Sequence, residues 1–593
     1  MKNKTILAVS FVVTVMTLSA CSTAQNESGK ITTEEQVQLI SKKDQPGTLN
    51  KNNTVQNKVS ADKSIQPEME VKLSQSVASI PVMLKRKQEL SKQGIIQTRQ
   101  ISPIAAYQDN ISYIQYPQEQ LNTEKYAHLD QNAIKRVLEN PVSTFSIDVD
   151  TGSYSNMRRF INSGSLPRRD AVRVEELVNY FNYQYPLPEN NTPFGVTTEI
   201  APTPWNKNTY LLHIGIKGLD ISKKKLPASN LVFLVDVSGS MQSVNKLGLL
   251  KTSLKLLTKQ LRSQDKISLV VYAGASGVVL EPTDGNKTAT ISRALDNLAA
   301  GGSTNGAAGI KLAYSVAEQA FIKGGINRII LATDGDFNVG TVNFEALTEL
   351  VEQKRKSGIS LTTLGFGSGN YNDHLMEQLA DKGNGNYHYI DTLNEAQKVL
   401  VDEMSSTLQT IAKDVKIQIE FNKTKVAEYR LIGYENRILK REDFNNDKVD
   451  AGDIGAGHTV TALYEISLVG SKGQSVDELR YQNKSELLLQ KNTVNGELAF
   501  LKIRYKAPDK DTSELLSWPL KTNMIIKKVS NTSDRFRFSA AVAAFGQKIK
   551  GGQYIKNYSY SDILDMARDA RGKDYFGYRG EFIKLVNLTK SLS

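Results

Sequence analysis

One cysteine, two tryptophans and five histidines in 593 residues leave several chemistries without their usual residues. A lone thiol, Cys21, permits no disulfide within the chain. The histidines, His128, His213, His374, His388 and His458, are scattered, and no H-E-x-x-H pair occurs, so zinc-dependent hydrolysis and histidine acid–base catalysis lack their residues. The glycine-rich run Gly365 to Gly369 lacks the spacing and the lysine of a phosphate cradle; it reads as a turn after a strand, and no nucleotide is expected. Formal charge is +12, but the basic residues are spread out and no nucleic-acid motif accompanies them, which argues against nucleic acid and hints only weakly at an anionic surface.

Apolar length is short too. The run Thr5 to Leu18, preceded by Lys2 and Lys4, falls below the ~20 residues of a spanning helix. It has the form of a secretory signal ending at Ser19-Ala20. Because Cys21 follows that small pair directly, the stretch resembles a bacterial lipobox, with cleavage before Cys21 and lipid on its thiol. Two or more acyl chains, palmitate among them, anchor stably where one does not. The mature chain is then expected in the cell envelope. By the resemblance to such lipoproteins, Ser22 rather than Asp after the cysteine implies an outer membrane, facing the periplasm, if the cell has two membranes, and otherwise the outer leaflet of the cytoplasmic membrane.

Length alone suggests three or four units at ~150 residues each. Residues 21–110 are rich in Gln, Ser, Lys, Asn and Thr and read as a lipidated tether, with one helix near Met69 to Leu90. Residues 111–225 read as a small α+β unit, with a strand at Phe145 to Asp150, helices at Tyr154–Ile161 and Val172–Phe181, and a strand at Tyr210–Ile216. Asp148-x-Asp150-x-Gly152 lacks the later carboxylate of a calcium loop and reads as a strand end with capping residues.

The centre of the chain alternates strand and helix. Strands are predicted at Leu231–Val235, Ile267–Tyr272, Val278–Leu280, Arg328–Thr333, Ser360–Phe366 and Tyr387–Ile390, which implies a doubly wound sheet. Leu231 to Met241 runs from apolar residues into Asp236, Ser238, Gly239 and Ser240, and the helical period Leu247, Leu250, Leu254, Leu257 follows. Asp236, Ser238 and Ser240 offer hard oxygens suited to Mg²⁺, Mn²⁺ or Ca²⁺. A Gly-rich loop holding Thr304 and a second strand ending in Thr333-Asp334-Gly335 can supply the rest, because such turns meet at the carboxyl ends of strands. Asp336 and Asn338 read as loop-shaping residues.

The D-x-S-x-S turn, the loop threonine and the T-D-G strand end together resemble a von Willebrand factor type A (vWA) domain over about Leu226 to Leu408. The resemblance implies a Rossmann-like α/β fold and a metal-ion-dependent adhesion site at Asp236, Ser238, Ser240, Thr304 and Asp334. It also implies that the hydroxyls of Ser238, Ser240 and Thr304 touch the ion directly while Asp236 and Asp334 act partly through water. The partition that follows is a vWA domain at 226–410, inserted in or flanked by β-rich companion domains. The segments on either side resemble the companion domains of bacterial lipoproteins that carry this module.

Beyond it, residues 411–593 read as β-rich and then helical. Strand-like runs at Val415–Phe421, Val426–Leu431, His458–Leu468 and Leu498–Tyr505 can pair with those before Pro202 and around Tyr210. Asp447, Asp450 and Asp453 form an acidic loop that leaves a second cation open. Phe538, Val542, Phe545, Ile563 and Met566 recur at helical spacing and read as core.

Three function classes remain. A divalent cation ringed by neutral hydroxyls keeps an open position for the carboxylate of an Asp or Glu on another protein, so metal-dependent binding of an unidentified protein ligand is the leading expectation. A structural envelope protein with a non-essential metal site is the alternative. A metal-dependent hydrolase ranks third, since no acid or base accompanies the ion and no G-x-S-x-G nucleophile motif lies at the Asp236 turn; a non-enzyme is expected.

Overall fold

The computed structural model describes residues 122–189, 192–335, 344–477, 479–480 and 496–593. The leader, Cys21, the tether with its expected helix, Asp336 and Asn338 lie outside the described residues. No helix among the described residues is long and apolar enough to cross a membrane.

Elements are numbered in chain order. Before the central unit come β1 (Lys135–Arg136), β2 (Val142–Ser146), helices α1 (Gly152–Asn162) and α2 (Val174–Asn179), β3 (Phe194–Thr203) and β4 (Asn206–Gly218). The central unit contains β5 (Ser229–Asp236), α3 (Leu249–Thr258), β6 (Lys266–Tyr272), β7 (Ser276–Asp284), α4 (Thr288–Asp296), α5 (Gly306–Gln319), β8 (Ile326–Thr333), α6 (Phe344–Arg355), β9 (Ser360–Phe366), α7 (Asp373–Lys382), β10 (Tyr387–Ile390), α8 (Leu393–Gln397) and α9 (Met404–Leu408). Then follow β11 (Thr410–Phe421), β12 (Val426–Ile432), β13 (Ile454–Gly455), β14 (Thr459–Leu468), β15 (Glu497–Lys506), β16 (Ser513–Lys521), α10 (Asp534–Ile549), α11 (Tyr560–Asp569) and α12 (Tyr578–Leu592).

The central sheet runs β10-β9-β8-β5-β6-β7. Its pairings are parallel except β6 with β7. Successive residues of β5 point to opposite faces. Leu231, Phe233 and Val235 pack with Leu250, Leu254, Leu257 and Ile291 on one side. Val232 and Leu234 pack with Ile310, Tyr314, Leu347 and Leu379 on the other. A strand covered on both faces has no polar face to offer, which is why Leu231 to Val235 is continuously apolar. The doubly wound α/β class expected from the sequence is the one observed.

Around this unit stand two antiparallel sheets sharing one core. One runs β1-β12-β14-β4-β3 and the other β13-β11-β15-β16, with β2 added to β11. Ile214, Ile216, Val460 and Tyr464 of the first meet Ile417, Ile419, Leu501 and Ile503 of the second. Strand β4, before the central unit, pairs with β14, after it, from Lys217↔Thr459 to Tyr210↔Ile466. The chain therefore leaves the β-layers, builds the central unit and returns to them. Strand β16 has no counterpart in the sequence reading. Among the described residues it pairs only with β15 and is mostly exposed, so it lacks the apolar alternation that betrays a half-buried strand, and edge position accommodates Pro519.

The C-terminal helices pack on α1 and α2. Phe181 meets Phe538 at 5.1 Å and Phe582 at 5.6 Å between ring centroids, within one aromatic cluster. Phe538, Val542, Phe545 and Ile563 are core as expected, while Met566 is only partly buried against it.

Buried arginines tie these layers together. Arg158 of α1 meets Asp391, Glu395 and Glu581, and Arg173 meets Glu176 and Asp373. Arg437 meets Asp148, Asp150 and Asp381, so Asp148 and Asp150 answer an internal cation. The acidic loop is similarly engaged: Asp447 accepts from Ser513, Asp450 pairs with Arg355 at 2.7 Å, and Asp453 accepts from the Asp414 amide. A second cation there finds no support. Among the described residues no group of three or more His, Cys, Asp or Glu is placed to hold a metal ion.

Candidate metal-binding site

The carboxyl ends of β5, β6 and β8 come together at one edge of the central sheet. Asp236 ends β5 and lies opposite Tyr272, which ends β6. Asp334 follows β8 directly, and Asp236 and Asp334 are both fully buried. Asp236 Oδ1 accepts from the Ser238 amide at 2.9 Å, and Oδ2 accepts from Thr333 Oγ1 at 2.7 Å and from the Tyr272 hydroxyl at 3.2 Å. Burial raises the Asp236 carboxyl above the usual carboxylate range; the bonds from Ser238 and Thr333 oppose this, and nearby Asp334 adds to it.

The turn after β5 presents its hydroxyls as a pair. Ser238 Oγ and Ser240 Oγ lie 3.0 Å apart. The Gly-rich loop docks on this turn through its backbone: Gly239 N–H donates to Gly302 O at 3.0 Å and Gly301 N–H donates to Val237 O at 2.8 Å. Gly302 takes φ +85°, a conformation an L side chain rarely adopts, and so lets the loop fold back onto the turn. Thr304 follows in the same loop and is half-buried, just before Asn305 caps α5 by accepting from the Ala308 amide. The loop, the turn and the two strand ends expected to form the site are thus at one sheet edge.

The donor chemistry fits a small divalent cation. Two carboxylates and three hydroxyls are hard oxygens, and adjacent ligands of an octahedron with ~2.0–2.1 Å bonds stand ~2.9 Å apart, close to the Ser238–Ser240 separation. With only two carboxylates, the set differs from an acid cluster.

Three roles escape the sequence reading. Thr333 and Tyr272 orient Asp236; their signal is their position, the last residues of the strands flanking β5. The third is Lys246. Its ammonium donates to Asp334 Oδ2 at 2.9 Å and to Asn370 Oδ1 at 2.9 Å, and Asn370 Nδ2 donates to the same Asp334 oxygen at 3.1 Å. The lysine stem lies against Gly367, where an added Cβ would stand 2.3 Å from its Cε.

Family models match in three stretches: "von Willebrand factor" over residues 120–213, "von Willebrand factor type A domain" over 230–403, and "Uncharacterized protein YfbK, C-terminal" over 406–592. The Escherichia coli (strain K12) protein "Uncharacterized protein YfbK" is 51% identical over 478 residues, covering 79% of this chain and 82% of its own.

The chain belongs to this family of bacterial vWA-domain proteins.

A more distant relative, "Uncharacterized protein sll0103" of Synechocystis, is 28% identical over 30% of this chain and 41% of its own. The solved structure "von Willebrand factor type A from Catenulispora acidiphila" aligns over 69% of this chain and 91% of its own at 14% identity and a TM-score of 0.38. Membership places a vWA module in the chain, a type associated generally with protein interaction and metal-dependent adhesion, often through a divalent ion.

Proposed function

We propose that the chain binds a protein ligand through one divalent cation, Mg²⁺, Mn²⁺ or Ca²⁺, held by Asp236, Ser238, Ser240, Thr304 and Asp334. The bound cation would supply an electron-poor centre that takes an Asp or Glu carboxylate from the ligand. The observation that carries this reading is the pair of hydroxyl oxygens 3.0 Å apart beside two buried carboxylates. The chain's own groups do the positioning: Thr333, Tyr272 and the Ser238 amide hold Asp236, and two backbone hydrogen bonds hold the Thr304 loop.

The protein works as a binder rather than an enzyme. His213, His388 and His458 are each pushed down to about 3 by burial and stay neutral in the core, away from the Asp236 turn. It sits in the cell envelope on lipid attached to Cys21, in the outer membrane where the cell has one. Mass spectrometry of the mature N-terminus, with Cys21→Ala as control, tests the anchor.

A structural role with a non-essential ion is the second reading, and one observation favours it: Lys246 already gives Asp334 a cation. Capture from envelope extract separates the two. With Mg²⁺ a discrete protein is retained, and EDTA or Asp236→Ala releases it. Equal retention in all three arms would leave the structural role; metal-dependent turnover of an envelope substrate would point to an enzyme.

A further inference from the structure

Lys246 is buried beside the metal-binding residues, yet lysine is among the residues least often buried without a purpose. Two oxygen partners at 2.9 Å fix its ammonium, one of them the Asp334 carboxylate. Its stem fills the space above Gly367, which at φ +77° has no side chain to compete for it. The lysine is therefore held in place by packing as well as by charge. Among the described residues, Lys246 adds a positive charge beside the two carboxylates Asp236 and Asp334.

The consequence follows from charge balance at low dielectric, where uncompensated charge is costly. Two carboxylates alone would be neutralised by one divalent ion, leaving little pull on a further anion. With the ammonium included, these three described groups and the ion together keep one net positive charge, and a single carboxylate from outside closes the balance. We propose that Lys246 is a built-in counter-cation that weakens binding of the ion alone and couples it to binding of a carboxylate ligand. This rests on the metal-dependent reading above and names the device by which that site selects an acidic partner. By linkage, the factor by which a carboxylate tightens the ion is the factor by which the ion tightens the carboxylate.

The test is a calorimetric titration of the full chain with Mg²⁺, in the presence and absence of acetate, backed by Mn²⁺ titration read by electron paramagnetic resonance. Wild type, Lys246→Met, Lys246→Gln and Asp236→Ala are compared, with circular dichroism to show that each is folded. Removing the charge is expected to tighten the ion alone on the order of tenfold, a modest value for a divalent ion and an ammonium sharing one carboxylate. Acetate is expected to tighten the ion in wild type and to have little effect in the charge-free variants. Lys246→Gln keeps a hydrogen-bond donor, so agreement of the two variants assigns the effect to charge. Ion binding that is unchanged or weaker in folded Lys246→Gln, or an acetate effect that survives there, would overturn the proposal while leaving the metal site standing. Absence of ion binding in wild type and in both lysine variants would instead remove the metal-dependent reading and this proposal with it.

Discussion

The Glu124 carboxylate accepts the backbone N–H of Gly369 at 2.9 Å. Around it the segment at 123–125 lies along the loop after β9. Thr123 N–H donates to Gly369 O at 2.7 Å, Lys125 N–H donates to Tyr371 O at 2.9 Å, and Asp373 N–H donates to Lys125 O at 3.1 Å. Arg159 braces the same carboxylate at 3.0 Å. That loop carries Asn370, which with Lys246 holds Asp334, so this segment is one hydrogen-bonded step from the proposed metal site.

Glu124→Ala should therefore loosen the loop and spare the rest of the sheet. The lost bond to the half-buried amide is worth ~1–3 kcal/mol, so hydrogen exchange at Gly369 to Tyr371 should accelerate by about ten- to a hundredfold. Protection in β5 and β8 should stay unchanged. Uniform acceleration across the central sheet would mean that the segment stabilises the whole unit.

The Arg158 network predicts a global effect. Its guanidinium donates to Asp391 through two nitrogens, to Glu395 at 2.8 Å, to Glu581 at 2.9 Å and to the Tyr180 hydroxyl at 3.0 Å, joining α1 to the central unit and to α12. Arg158→Met removes the cation and leaves buried carboxylates facing one another, at a cost of about 3–5 kcal/mol. Urea unfolding should show a lower midpoint; a midpoint equal to wild type would mean that the acids take up protons or other partners instead.

Glu175 predicts how stability changes with pH. Burial, reinforced by the charges of Glu435 and Asp148, pushes its carboxyl up to about 8, with Lys550 and a backbone hydrogen bond from Tyr434 opposing. The folded value lies above the ordinary ~4.3 of the unfolded chain. The folded state therefore holds a proton that the unfolded state has released, and stability from this group is complete below ~4.3 and is lost as pH rises towards 8. Each unit in that window costs up to ~1.4 kcal/mol. Glu175→Gln cannot ionise, so its urea midpoint should fall less than that of wild type between pH 5 and pH 8. Parallel curves would assign the slope to other groups.

Several of these features were visible in the sequence and others were not, for physical reasons. Asp236, Ser238, Ser240 and Asp334 declare themselves because polar residues follow continuous apolar runs, Leu231 to Val235 in β5 and Ile329 to Ala332 in β8. Lys246 does not, because its neighbours carry a helical leucine period in which a lysine reads as a solvated position. A single widened turn at Val244–Gly248 precedes α3, and within it Val244 is 87% exposed while Lys246 is turned inward. The outer strands announce themselves by alternation, but edge strand β16, with little to bury, does not. The arginine ties join residues as far apart as Arg158 and Glu581, a pairing that no local pattern encodes.

The orientation of Asp236 gives the sharpest test of the site itself. Its Oδ2 receives a short bond from Thr333 at 2.7 Å and a longer one from Tyr272 at 3.2 Å. Groups that aim a metal ligand typically contribute ten- to a hundredfold to affinity. Thr333→Val keeps the shape and removes the shorter bond, so it should weaken Mg²⁺ by about that factor. Tyr272→Phe, losing the longer bond, should weaken it less, while Asp236→Ala should abolish it. The order arises because the Thr333 hydroxyl sits one residue from Asp334 on the rigid end of β8, where it fixes Asp236 relative to the second carboxylate. If Tyr272→Phe proved the more damaging, the aim of Asp236 would be set from β6, and the spacing between the two carboxylates would matter less than burial of the first.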